Sequence, residues 1–439
     1  MRFIEFPEIS FPIQGLEDVR LPQMYRVREL YENDEIADIS GALTSELEGC
    51  GLEEGSLSGK TIAITVGSRG IPGLVLMIRT LCDWLKARGA EPFIVPAMGS
   101  HGGGTVAGNL EIINGYGITE ESTGVPIRAT MEVDLIGSLP DRVQTPVYCD
   151  RYAAQADGII LFNKVKPHTD FKGYVESGLC KMMAIGLAKH KGCSMFHEQG
   201  FDTFADRVPM AAKVFLEKKN VICGIGVVQN AYDKISEIRA YKREDIIEGD
   251  HELLEIARRR LPKLKFDNID VLIIDRIGKN ISGEGADPNV TGRGFMPYFK
   301  DDFHAKRLLI RGLSEQSHHN ACGLGLADIT TRRCLNDVDW ESTWINLTTN
   351  MMVDGGKIPM YQNNDKEAIL LAIRSSIRAD YKNPRIARIR DTLSLSEIEI
   401  SEALLMDVKD RSDVEILSGP CSWEFDGEGY MRDLEISEG

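Results

Sequence analysis

Five residues of this chain stand where side chains can do chemistry: Arg69 in VGSRGIP, His101 in MGSHGGGT, His168 in KVKPHTD, Lys181 in SGLCKMMAIGLA and His197 in GCSMFHEQG. The glycines around His101 permit a tight turn and close approach of the backbone to a ligand. An imidazole there can act as a general acid or base near neutral pH, although an exposed turn histidine reads as plainly. His168 follows Pro167, with Lys164 and Lys166 close by; a helix-capping histidine is the plainer alternative. Two histidines on neighbouring strand ends would suit a reaction in which either face of a substrate must be served by a base. Lys181 lies in an apolar helical run, where a charge is costly unless paired, so its head either reaches water or is used chemically. His197 follows it by sixteen positions. With no HxxxH spacing it reads more readily as structural than as a metal ligand. Arg69 stands just before a helix N-terminus, a place suited to phosphate or carboxylate, though a surface arginine is the simpler reading. Lys189, His190 and Lys191 look like the solvated end of a helix, where cations complement the dipole. The adjacent His318 and His319 are expected on the surface or in a loop.

The elements that must hold these residues are legible. KTIAITVGS (60–68) is a strand run, the stretch 70–90 carries helical spacing through Leu74, Ile78, Leu81 and Leu85, and EPFIVPAMGS (91–100) is the next strand. Strand, helix, strand implies parallel pairing with a right-handed crossover. The pattern returns at 156–165, 220–230, 269–278 and 305–314, with a helix from Lys366 to about Ala379. Four stretches with chemical potential, GSRG, GSHGGGT, KPHTDFKG and GKNISGEGADPNVTGRG, each follow a strand, and open parallel sheets bind ligands beyond the carboxyl ends of their strands. The segment ARRRLPKLKFDN (257–268) reads as a domain boundary.

The 439 residues suffice for two domains, and 43% apolar with 27% charged residues is ordinary globular composition. A formal charge of −16 opposes binding to nucleic acid or an anionic membrane, while leaving room for an anionic small molecule in a local basic pocket. No signal peptide or apolar span is visible, so the expectation is a cytoplasmic protein. Nine scattered cysteines without close pairs are expected to be reduced and mostly buried.

GSRG, GSHGGGT, KPHTDFKG, GLCKMMAIGLA and MFH, in this order, resemble the nickel-dependent lactate racemase family, the LarA-like 2-hydroxyacid racemases and epimerases, over roughly residues 20–400. The resemblance implies an α/β protein of two domains with mostly parallel sheets flanked by helices and an active site in the interdomain cleft. Residues 1–265 would carry the cofactor and the acid/base groups; residues 266–439 would close the cleft and contribute substrate contacts. It implies a nickel-pincer nucleotide, a pyridinium-3,5-bisthiocarboxylic acid mononucleotide carrying nickel, tethered at Lys181 with His197 as the protein's nickel ligand. His101 and His168 match the paired acid/base histidines, and Ser68 and Arg69 the first loop that holds cofactor or substrate anions. Such enzymes invert C2 by passing the α-hydrogen as hydride to and from the cofactor while one histidine takes the hydroxyl proton. The implied partners are a small 2-hydroxy acid and the proteins that assemble the cofactor; self-association is allowed.

The sequence also departs from the family. TDFKGYVESGLC stands between His168 and Lys181 where a glycine-rich run is usual. DPNVTGRGF stands where lactate racemases carry asparagine, tyrosine, glutamine and a nearby lysine for substrate. Asn289 and Thr291 are the matching substrate contacts, and Thr291 and Gly292, being smaller, suggest an acid larger than lactate, such as a sugar acid. Arg293 or Lys279 would take its carboxylate. Two other readings stay open: a zinc-dependent hydrolase or lyase using His101, His168 and His197 as ligands, and a noncatalytic protein that binds the cofactor.

Overall fold

The computed structural model describes residues 1–51, 55–296, 299, 303–349 and 351–436. The chain divides into two compact units: Glu32–Leu261, and Met1–Tyr31 together with Pro262–Gly439. The expected 1–265 domain included the first 31 residues. They belong with the other unit instead, because β1 (Met24–Glu29) pairs antiparallel with two strands from the end of the chain. Met24 and Val27 are buried there, beside partners that no local signal announces.

The unit Glu32–Leu261 contains β2 (Thr61–Val66), β3 (Glu91–Pro96), a hairpin of β4 (Val133–Ser138) and β5 (Pro146–Asp150), then β6 (Gly158–Lys164), β7 (Val221–Gln229) and β8 (Ile235–Lys242). Its main sheet has the order β3-β2-β6-β7-β8, parallel except for the antiparallel edge strand β8. β2, β3 and β6 are almost wholly buried, as expected of β-branched and aromatic runs covered on both faces. The helix Leu74–Ala87 buries Leu74, Met77, Ile78, Leu81 and Leu85 on one stripe against that sheet's core. Each such side chain contributes roughly 1.5–3 kcal/mol of burial, and Leu81→Ala would cost about 2–5 kcal/mol. The register pairs Val66 with Pro96 and Ile64 with Ile160. The segments that begin at residues 67, 97 and 165 therefore leave the sheet from the same edge.

In the second unit β9 (Val271–Ile274), β10 (Arg307–Ile310), β11 (Ile329–Thr331), β12 (Met360–Gln362), β13 (Ile386–Ile389), β14 (Glu397–Ser401) and β15 (Val414–Cys421) join β1 in the order β12-β11-β10-β9-β13-β14-β1-β15. From β12 to β13 the pairs are parallel; from β13 to β15 they are antiparallel. The protein is thus α/β with mostly parallel sheets flanked by helices. Eight cysteines are buried and Cys421 is exposed, all as free thiols. Among the described residues no helix is long and apolar enough to cross a membrane.

Candidate functional site

Three loops carry Arg69, His101 and His168 from the common edge of β2, β3 and β6. The loop after β3 is the tightest. Gly102, Gly103 and Gly104 all take positive φ, and a Cβ on Gly102 would lie 2.5 Å from the backbone carbon of Gly108. Only glycine fits there. His101 is exposed on this loop, its carbonyl accepting a hydrogen bond from Asn109 Nδ2 at 2.9 Å. The loop rests on the helical stretch after Lys181: Gly99 N donates to the Gly186 carbonyl, and Cys193 Sγ lies 3.6 Å from Ser100 Oγ.

Lys181 is the last residue of a single helical turn, Leu179–Lys181, that starts on a buried carboxylate. Asp250 accepts from the Leu179 and Cys180 amides at 2.8 and 2.9 Å. Gly178 allows that approach, since its Cβ would fall 1.9 Å from Asp250 Oδ1. The run expected to be plainly helical then widens into a π turn at Met182–Gly186 before the helix Lys189–His197. Such turns recur at functional sites because they re-aim side chains.

Lys181 Nζ contacts His168 Nε2 directly. His168 is buried, packed on Phe171 with ring centroids 4.5 Å apart. Its Nδ1 accepts the Asp170 amide at 3.0 Å and lies 3.5 Å from Asp170 Oδ2. Either neutral tautomer therefore has a partner: the amide when the proton is on Nε2, the carboxylate side when it is on Nδ1. Glu176 holds the loop by accepting from the His168 amide at 2.6 Å and pairing with Arg258. Burial, then the Lys181 charge, pushes the His168 imidazole well below its ordinary pKa. Burial likewise lowers the half-buried Lys181 amine to about 8, although Asp170 opposes the shift. His197 and Arg69 lie near enough to lower the His168 pKa through their charges. Ser68 uses its carbonyl to accept the Tyr116 hydroxyl at 2.9 Å.

His197, half-buried, directs Nδ1 at the Cys193 carbonyl at 2.7 Å, with the Cys193 thiol 3.5 Å away. A donor hydrogen bond from Nδ1 leaves Nε2 with the lone pair a metal requires. Phe201 and Phe204 hold the ring edge to face at 5.1 and 5.2 Å. Burial opposes a charge on His197, but Cys193 outweighs it and raises the imidazole pKa.

Lys189 departs from expectation. It is not at a solvated helix end; it opens the helix Lys189–His197 with φ +54°, wholly buried, 3.1 Å from Asp150 and donating to the Pro96 carbonyl. The π turn shifts the helical phase and brings this cation inward, while His190 and Lys191 remain exposed. His318 is exposed and His319 half-buried, the latter bonded to Asp337 at 2.9 Å.

The residues expected to touch substrate in the second unit are committed to their own turn. Asn289 is buried and donates to Asp287 at 2.8 Å; Thr291 is buried and its hydroxyl accepts the Arg293 amide. A Cβ on Gly292 would fall 1.8 Å from the Phe303 carbonyl oxygen. The small residues at 291 and 292 thus serve close packing around this turn. Arg293 pairs with Asp328 at 2.6 Å and donates to the Leu326, Ala305 and Lys306 carbonyls, whereas Lys279 is exposed. Among the described residues no three His, Cys, Asp or Glu side chains are placed to hold one metal ion, so the three-histidine zinc reading finds no site there.

Sequence reasoning passed over Asp150, Asp170, Glu176, Cys193 and Asp250. Asp170, two positions after His168, and Cys193, four before His197, were within reach of local spacing; the others are brought in by tertiary packing.

Residues 10–206 match the family model of the lactate racemase N-terminal domain. The solved structure of the lactate racemase apoprotein from Thermoanaerobacterium thermosaccharolyticum is similar at 14% identity and a TM-score of 0.48, over 90% of this chain and 99% of that chain. No curated protein matches.

Proposed function

We propose that the chain, whose residues 10–206 match the lactate racemase N-terminal domain, is a racemase or epimerase of that family inverting C2 of a 2-hydroxy acid with a nickel-pincer nucleotide. The observation that carries this reading is the direct contact of Lys181 with His168 beside His197. The side chains suit the cofactor. A lysine whose pKa falls to about 8 offers a neutral amine for a covalent tether. His197, with Nδ1 occupied by a carbonyl, offers Nε2 to nickel. Asn109 Oδ1, buried with no hydrogen-bond partner among the described residues, lies under the glycine loop. When bound, the cofactor supplies a hydride acceptor and donor that protein side chains lack.

The chain's own residues then handle protons and charge. His168, held neutral by burial, takes the hydroxyl proton of one enantiomer at Nε2, with Asp170 beside Nδ1 to steady the charged ring. His101 performs the same task for the other enantiomer from the loop after β3. Arg69, at the end of β2, takes the carboxylate. Ser68 lies beside it in the loop that holds cofactor or substrate anions. Phe171, Phe201 and Phe204 keep water from the imidazoles. The partners are the acid itself and the proteins that build the cofactor.

The test is protein made alongside pincer-biosynthesis proteins and screened with C3 to C6 hydroxy acids. Intact mass should show an adduct and near-stoichiometric nickel, both absent in Lys181→Ala. His101→Ala and His168→Ala should each lose about 10²–10⁴-fold in isomerisation while keeping the adduct. Undiminished turnover in both single variants would remove the acid/base assignment.

A further inference from the structure

We infer that the carboxyl edge of the second unit's sheet carries a binding site for a compact multivalent oxyanion, built from that unit's own residues. A cavity of about 450 Å³ opens there, lined by Arg276, Arg311, Gly312, Arg333, Asn336 and Asp337. The lining comes from the segments that succeed β9, β10 and β11. β9 has β10 on one side and β13, reached only later in the chain, on the other, so the strand order reverses beside it. Carboxyl edges are where open α/β sheets take ligands.

Three guanidinium groups on one small cavity are unusual in a chain with so acidic a balance, and their arrangement is fixed from behind. Arg311, 1% exposed, gives Nη1 to Asp275 at 2.6 Å and Nη2 to Asp365 at 2.7 Å. Its Nε is buried with no hydrogen-bond partner among the described residues. Arg276 gives Nε to Asp433 at 2.6 Å and Nη1 to the Leu313 carbonyl at 3.1 Å. Gly312 makes room for that guanidinium, since its Cβ would fall 2.3 Å from Arg276 Nη1. Arg333 gives Nη2 to Asp365 at 3.3 Å and stacks over Tyr430 at 4.2 Å. Arg276 and Arg333 are thus anchored by some of their donors, leaving others for a ligand, while both Nη groups of Arg311 are taken by Asp275, Asp433, Asp365 and backbone carbonyls: a preorganised set that loses little freedom on binding. Asp337, the carboxylate of the lining, accepts from His319 Nδ1 at 2.9 Å.

Guanidinium forks match carboxylate and phosphate oxygens equally in geometry, so the ligand is a phosphate ester or a small polycarboxylate. The test measures affinity by calorimetry and melting shift, with inorganic phosphate and with citrate, against chloride at matched ionic strength. The full-length chain should bind one equivalent of at least one probe. Arg333→Gln and Arg276→Gln, both reaching solvent with part of their side chains, should each weaken it about tenfold, the loss of one charged hydrogen bond; Arg333→Lys should fall between. Arg69→Ala and Lys181→Ala should leave it unchanged. Stronger binding of phosphate would mark a phosphoryl ligand and stronger binding of citrate a carboxylate. No binding of either, unaltered binding in both glutamine variants, or loss in Arg69→Ala would overturn the inference. Lost adduct formation at Lys181 would bear only on the proposed isomerase.

Discussion

Lys181 and Lys189 lie eight residues apart in one helical stretch, both withdrawn from solvent, and their ammonium groups meet opposite surroundings. Lys189 is wholly buried and answered by Asp150 and the Pro96 carbonyl. Lys181 meets an imidazole, and among the described residues no carboxylate lies in ion-pair contact with it. The first cation ties the start of its helix to the ends of β3 and β5. The second is destabilised as a charge and so available as a base or nucleophile. Burial lowers the pKa of both amines; what separates them is that Asp150 answers Lys189 in a direct ion pair, while Asp170 opposes the shift at Lys181 only through space.

The sharpest way to break that contrast is to remove each charge. Lys189→Met strands Asp150 in the core and should cost about 3–5 kcal/mol in denaturant unfolding, with Asp150→Asn/Lys189→Met recovering part of it. Lys181→Met should stay within about 1 kcal/mol of the parent or exceed it, because it removes an uncompensated charge. Equal losses would erase the distinction.

Amine reactivity reads the same difference without mutation. At pH 8 an amine of pKa about 8 is half neutral, whereas an ordinary lysine has roughly a hundredfold less free base. Brief reductive methylation of the folded protein, then peptide mass mapping, should mark Lys181 early and spare Lys189. Preferential labelling of Lys189 would contradict the buried pair.

Stability against pH gives a smaller effect with a defined sign. Lys181 has a folded pKa below its unfolded one, so between about pH 8 and 10.5 the unfolded chain holds the extra proton and stability rises with pH. His168 is also depressed, so below its ordinary value of 6.5 the unfolded chain again binds more protons and stability falls as pH falls. Lys181→Met should flatten the alkaline limb and His168→Gln the acidic one in melting curves recorded across pH. The smallest change is expected from Arg69→Gln. Losing one water-screened cation should raise the Lys181 titration point by less than about half a unit, read from the pH dependence of labelling.

Much of this contrast was hidden in the sequence. The strands β2, β3, β6, β7, β9 and β10 announce themselves because each is a short apolar run bounded by polar or glycine residues, and the glycines at 102–104 mark a loop of tight, positive-φ turns. β1 gives no such warning, since its pattern acquires meaning only beside residues almost four hundred positions later. The candidate site divides in the same way. Histidines and lysines with special neighbours stand out locally, but Asp150, Glu176 and Asp250 look like any surface carboxylate until folding buries them. Lys189 misled for a further reason: a π turn inserts a residue into the helical count and rotates the next turn by about 100°. The Arg293–Asp328 pair was hidden because a motif position reports which residue is present and not which groups already occupy its donors.

The placement of β1 has a consequence for how the chain comes to be folded. The unit Glu32–Leu261 is an insertion: its residues are synthesised in one continuous stretch, and it can close while the remainder is still being made. β1 cannot. Its partners β14 and β15 are made almost four hundred residues later, and at roughly 5–20 residues per second it waits on the order of 20–80 seconds with its apolar face uncovered. The second unit is therefore completed only after β14 and β15 have been made, and β1 is among the last of its strands to find its place.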